Sequence, residues 1–257
     1  MGHEKLLAEV GLTPEGIFAD ARVKAWRRLP DRENCTFDAD RQDGRHVRWH
    51  IKRYPRSAAG KSPARVEAAG AGLLIEGQIP TAPVVAWNEL ADGRSYIIFE
   101  DLAGYQAADK LIEQGQPFER LLEGTAELAA KLHAAGLHHR DLYLCHFFVR
   151  IEPTATDVRL IDAARVRRLP RWPFRNRWIV KDLAQFWYSA TRLGVTKELR
   201  TRWLERYAEI TQVRSIASLR RSIQRKASWI ERHDRKLNVR QPNRNISIPQ
   251  TTPLEHR

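Results

Sequence analysis

His138-His139-Arg140-Asp141-Leu142-Tyr143-Leu144-Cys145-His146-Phe147-Phe148 is the stretch on which the reading of this chain turns. It lies between a helical pattern and a hairpin pattern, so its polar residues belong to a loop with freedom to act. Upstream, Leu121, Leu128, Leu132 and Ala135 share one helical face that stops at Gly136, a suitable C-cap. Downstream, Phe147-Phe148-Val149 and Val158-Arg159-Leu160-Ile161 are short apolar runs parted by a turn containing proline, which suits a β-hairpin. A His-Arg-Asp triplet is short enough to arise by chance, and its weight comes from the companions that stand in order around it.

Toward the N-terminus, His46 to Lys52 alternates polar and apolar residues with period two, a half-buried strand carrying Lys52 near its end. Residues 23–29 and 33–39 read as weaker strands joined by a turn. Ser62 and Pro63 fit an N-cap and first helical position for a helix over 64–76 that holds Glu67, with Glu76 as a rival acid on the same helix. Residues 83–87 and 95–100 read as two more strands split by Asp92-Gly93. Toward the C-terminus, helices are expected over 180–192, 197–211 and 215–237, the last with Ile216, Leu219, Ile223, Ala227 and Ile230 on one face and basic residues on the other. The proline-containing end, 238–257, reads as a loose tail. The expected class is α+β: a small antiparallel-sheet unit over 1–101 with one main helix, then a mostly helical unit over 102–237.

Composition narrows the function classes. The 257 residues carry 44 Lys+Arg against 31 Asp+Glu, a formal charge of +13, so the surface attracts polyanions. Residues 165–181 hold seven basic side chains and no acid, interleaved with Trp172, Phe174 and Trp178; residues 214–240 hold nine against Glu231 and Asp234. The longest run without a charged residue has twelve residues, 77–88, broken by Pro80 and Pro83, well short of the ~20 apolar residues of a spanning helix. No apolar leader follows Met1, and two cysteines, Cys35 and Cys145, cannot build a disulfide framework, so a soluble cytoplasmic protein is expected.

The order strand lysine, helix glutamate, loop aspartate, post-hairpin aspartate (Lys52, Glu67, Asp141, Asp162) is the layout of protein kinases. Phosphoryl transfer needs these types, because a lysine steadied by a glutamate can hold nucleotide phosphates while an aspartate-bound Mg²⁺ bridges them. His139 to Phe148, then Leu160-Ile161-Asp162-Ala163-Ala164-Arg165, then Lys181-Asp182-Leu183-Ala184, resembles the lipopolysaccharide core (Kdo/heptose, WaaP-type) kinases, in order from about Trp26 to Ser189.

That resemblance implies a protein-kinase-like bilobal fold and transfer of the ATP γ-phosphate to a heptose or Kdo hydroxyl of the lipopolysaccharide inner core. It implies Asp141 as catalytic aspartate, Asp162 as magnesium ligand, Lys52 and its partner Glu67 on the nucleotide with Glu100, and Asp182 as the buried anchor of the catalytic loop. His146, in the slot where protein kinases place an asparagine, would contact phosphate or metal. The cofactors implied are ATP and Mg²⁺. An anionic glycolipid acceptor or membrane surface, rather than nucleic acid, would meet Arg165, Arg167, Arg168 and Arg171, with peripheral attachment at the inner face of the cytoplasmic membrane. Two features depart from protein kinases: residues 29–35 contain no glycine, and Asp162 is followed by Ala163-Ala164. The alternatives are a kinase for another small-molecule or protein acceptor, and a catalytically weak pseudokinase whose basic surface binds an anionic partner.

Overall fold

The period-two segments near the N-terminus pair into one antiparallel sheet in the computed structural model, which describes residues 2–41, 43–55, 62–153, 155–171 and 173–240. After α1 (Gly2–Ala8) and α2 (Gly16–Ala19) come β1 (Lys24–Arg28), β2 (Glu33–Asp40), β3 (His46–Tyr54), α3 (Pro63–Glu76), β4 (Val84–Glu89) and β5 (Ser95–Glu100). The strand order is β1-β2-β3-β5-β4. Alternation gives the sheet two different faces. On one, Cys35, Phe37, Trp49, Ile51, Tyr96 and Ile98 pack against Leu7 and Ile17 of the two N-terminal helices and Val10, Leu12 and Val23 of the turns beside them. On the other, Tyr54 and Ile97 meet Ala64 of α3. Lys52, opposite Asn34 and Ile97 in register, belongs to this second face. Ser62 caps α3, its hydroxyl accepting from the Arg65 N–H at 3.3 Å.

The remaining elements are β6 (Gln106–Ala107), α4 (Ala108–Glu113), α5 (Glu119–Ala134), β7 (Leu137–His138), β8 (Phe147–Ile151), β9 (Thr156–Leu160), β10 (Arg167–Arg168), α6 (Arg175–Arg192), α7 (Lys197–Thr211) and α8 (Ile216–Arg240). Two small sheets, β6-β8-β9 and β10-β7, flank the His138–Phe148 loop. The helical core is aromatic: Phe186 of α6 stacks on Trp203 of α7 at 3.9 Å and meets Phe147 edge-on at 5.5 Å. The Trp203 indole N–H donates to the Thr125 hydroxyl at 3.0 Å, so the buried ring is polar-satisfied. A sheet-rich part followed by a mostly helical part is the α+β, protein-kinase-like organisation that the resemblance implies.

Three boundaries differ from the sequence reading. Among the described residues the chain divides into two compact units, one of Gly72 and the residues before it with Ala82–Ala103, the other of Leu73–Thr81 with 104–240, where the sequence reading places a single break after residue 101. Within the second unit, Leu160 N–H donates to Pro80 O at 2.9 Å and the Thr81 hydroxyl to Leu160 O at 2.7 Å, which ties the segment after α3 there. Second, α6 begins at Arg175 and not at residue 180; its first turn is exposed, so no apolar period marks it. Third, α8 runs to Arg240, past the expected start of the tail; residues 241–257 and Trp172 lie outside the described residues.

Close packing inside the second unit sets a test. A Cβ at Gly124 of α5 would sit 2.7 Å from Val158 Cγ2, and valine is stiff at χ1. In an open helix site Gly→Ala gains up to ~1 kcal/mol; here overpacking of ~1–3 kcal/mol opposes it. Gly124→Ala is expected to lower the urea midpoint, and a raised midpoint would contradict this packing.

Candidate active site

The sheet unit contributes a buried acid and its cation. Strand alternation puts Lys52 and Tyr54 on one face of β3, and α3 lays Glu67 against them. Lys52 Nζ lies 2.5 Å from Glu67 Oε1, and the Tyr54 hydroxyl donates to Oε2 at 2.8 Å. Glu67 is fully buried, and Lys52 keeps a fifth of its side chain exposed. Both carboxylate oxygens are thus occupied, and the ammonium is steadied by a buried partner. Burial raises the Tyr54 phenol far above its ordinary pKa, so it stays a hydrogen-bond donor. Tyr54 is a residue that sequence reasoning missed, although its i+2 spacing from Lys52 was the available signal. Glu100 ends β5 exposed, its N–H held by Pro83 O at 3.0 Å. In the next position Asp101 binds His50 Nε2 at 2.6 Å.

The β1–β2 turn accounts for the missing glycines. Leu29 and Arg32 exchange backbone hydrogen bonds at 2.8 and 3.4 Å, leaving Pro30-Asp31 at a tight tip. Pro30 has no N–H, so this tip cannot supply the run of amides with which a glycine-rich loop covers phosphates.

In the helical unit, one face of α6 holds the loop by its backbone. Asp182, wholly buried, accepts the N–H of His139 at 2.7 Å and of Arg140 at 2.8 Å. Lys181 Nζ and Gln185 Nε2 donate to the Arg140 carbonyl at 2.9 and 2.8 Å. Gln185 Oε1 accepts from Leu142 N–H, and the Ser189 hydroxyl from Leu144 N–H, both at 3.0 Å. These bonds keep Arg140 at φ +70°, a costly conformation for arginine that persists only when its surroundings over-determine it. Burial works against the charge of Asp182, yet His133 and His139, the latter also through its amide, outweigh it and hold the carboxyl below its ordinary pKa. Lys181 stands in the motif quoted from the sequence without a role, and Gln185 was not singled out; their spacing from Asp182 on one helix was the signal.

So held, the loop gathers the remaining polar groups. Asp141 is contacted by Arg165 Nη1 at 3.2 Å and by Gln185 Nε2 at 3.4 Å. His146 Nδ1 donates to the Asp141 carbonyl at 2.6 Å, which aims Nε2 at Asp162, 3.7 Å from Oδ2. Burial opposes a charge on His146, but Cys145, Asp162 and the Asp141 carbonyl outweigh it and raise its pKa to about 10. His139 Nε2 donates to Ile161 O at 3.0 Å, tying the loop to the residue before Asp162; burial lowers its pKa and keeps it neutral. Asp162 adopts φ +65°, a left-handed turn that sets its carboxylate apart from β9.

Among the described residues no three His, Cys, Asp or Glu side chains gather as a metal cage. Mg²⁺ does not require one, since it keeps waters and takes one or two carboxylates with substrate phosphates. Asp162, with 29% of its side chain exposed, offers hard oxygens of that kind.

The basic stretch is largely engaged inside the unit. Arg167 donates to Val166 O at 2.6 Å and Arg168 to Glu76 at 2.8 Å, which also gives Glu76 a partner other than Lys52. Arg175 donates to His133 O at 3.1 Å. Arg171 is exposed.

Residues 31–207 match the model of the lipopolysaccharide kinase (Kdo/WaaP) family. The lipopolysaccharide core heptose(I) kinase WaaP of Pseudomonas aeruginosa is 31% identical over 192 residues, 69% of either chain. Its counterpart in Escherichia coli strain K12 is 30% identical over 112 residues, 42% of this chain and 41% of its own length. Among solved structures, a complex of WbdD with a kinase inhibitor overlaps 78% of this chain and 44% of its own, at TM-score 0.46 and 16% identity.

Proposed function

The chain belongs to the lipopolysaccharide kinase (Kdo/WaaP) family, and from that premise we propose that it is an ATP-dependent kinase that phosphorylates a sugar hydroxyl, heptose or Kdo, of the lipopolysaccharide inner core. The observation that carries this reading is that Asp141 and His146 stand on a loop whose backbone is held at residues 139, 140, 142 and 144 by side chains of α6, with His146 facing Asp162 after β9. So many bonds on so short a segment support the reading, because proximity catalysis requires a firmly held Asp141.

In this reading each group has one task. Lys52, held by Glu67, takes the nucleotide phosphates. Asp162 carries Mg²⁺, which when bound neutralises phosphate charge. His146 orients both aspartates, through the carbonyl of one and the carboxylate of the other, and needs no bond to the metal. Asp141 accepts the hydroxyl proton as the sugar oxygen attacks the γ-phosphorus and the bond from that phosphorus to the bridging oxygen breaks, releasing ADP. Arg165, beside Asp141 and mostly exposed, meets the anionic acceptor as it arrives.

Mass spectrometry of the cell's glycolipids with and without the gene is the test: loss of one core phosphate is expected, and an unchanged phosphate inventory would refute the assignment. The lysine gives a second, in vitro test. Lys52→Met removes a phosphate clamp and is expected to lower kcat/KM for ATP by ~10²-fold or more. It also strands the buried Glu67 carboxylate. Combining it with Glu67→Gln should therefore recover stability without recovering transfer, and a doubly substituted enzyme of near-normal activity would remove Lys52 from the site.

A further inference from the structure

We infer that the outward face of α8 docks on an anionic lipid surface. This deepens the reading above, on which it rests, by naming the element that brings the enzyme to a lipid-borne acceptor. At 3.6 residues per turn, Arg221, Arg225, Trp229, Arg232, Lys236 and Arg240 fall within an arc of ~100°, and all six are exposed. No acid shares that arc. Asp234 turns inward to the Tyr188 hydroxyl at 2.5 Å and Arg192 at 3.2 Å, and Glu231 pairs with Arg235 at 3.1 Å. The opposite side of the helix packs on α6 and buries Ile223, Ala227 and Ile230, so the basic face is rigidly presented. At its centre Trp229 is half exposed, with Lys226 Nζ 3.7 Å over its ring.

Charge complementarity chooses the partner's sign, and the tryptophan chooses its kind. A basic helix face with an aromatic at its middle suits the headgroup layer, where the indole sits at the interface and the cations meet lipid phosphates. In the other basic stretch, Arg165, Arg167, Arg168, Arg175 and Lys181 have partners in Asp141, backbone carbonyls or Glu76 within the unit, while Arg165 and Arg168 keep most of their side chains exposed.

Vesicle co-sedimentation of the full chain tests this, comparing phosphatidylcholine alone with equal parts phosphatidylcholine and phosphatidylglycerol over a salt series. Binding only to the anionic vesicles, fading steeply with salt, is expected. The triple variant Arg225→Glu, Arg232→Glu, Lys236→Glu should bind them ~10²-fold more weakly or worse, at about fivefold per basic residue. Trp229→Ala should weaken binding with little change in the salt dependence. A triple variant that pellets like wild type overturns the inference, as does a protein that ignores both vesicles and binds a DNA duplex. Transfer to a delipidated core oligosaccharide separates the two readings: it persists in the triple variant if only docking is lost. Its absence in wild type would instead count against the kinase assignment.

Discussion

Asp141→Asn is expected to reduce phosphoryl transfer by ~10²–10⁴-fold, the usual cost of losing a general base, while ATP binding and the melting temperature stay near wild type. The reason lies in which atoms of Asp141 hold the structure. His146 binds its backbone carbonyl, which the substitution keeps, and the carboxylate is touched by Arg165 and Gln185 alone among the contacts found for it. An amide can still accept from either but has no basic oxygen for the hydroxyl proton. Turnover above half of wild type would remove Asp141 from the chemistry.

The second large effect concerns Asp182, whose change should cost both structure and rate. Its two oxygens satisfy two loop amides and lie 3.4 Å from His133, all in a buried setting. Asp182→Ala orphans those donors and is expected to destabilise the fold by ~3–5 kcal/mol. Asp182→Asn keeps the shape but turns an NH₂ toward one of the amides, so it should retain more stability and still lose turnover. The pH dependence has a defined sign. The folded-state pKa of Asp182 is depressed, so its contribution is present above the unfolded value near 4 and is lost as pH falls through the lower folded value. Acid unfolding of wild type should therefore steepen below about pH 4, and the Asn variant should lack that component. Equal acid profiles for the two would show that Asp182 is not the anchor described here.

Much of the sheet was legible because β3 is half-buried and alternates cleanly, which placed Lys52 on a known face; the helix with Ser62 and Pro63 at its start declared itself through its cap. The loop was legible through its letters and the neighbours they resemble. Side chains that reach across the chain left no such mark. Tyr54 under Glu67, and Lys181, Gln185 and Ser189 on the loop backbone, are pairings of high sequence separation or ordinary residue types. The basic run from Arg165 to Lys181 is exposed at five of its seven cations, as its charge density suggests; what the sequence could not show is that Arg165 and Arg168 also reach Asp141 and Glu76. Outward charge also lies on α8, where the sequence did show a basic face but could not show that Asp234 turns inward and Glu231 pairs with Arg235.

The central claim is transfer of a phosphoryl group to a sugar hydroxyl, and the most direct measurement follows the γ-phosphate itself. Purified protein, radiolabelled ATP and Mg²⁺ are combined with lipopolysaccharide core lacking its phosphates. Label recovered as a phosphate monoester on a core heptose or Kdo, absent with the Asp141→Asn variant, is the predicted result. Label released only as inorganic phosphate, or label that stays on ATP while the protein is folded and the acceptor intact, would contradict it.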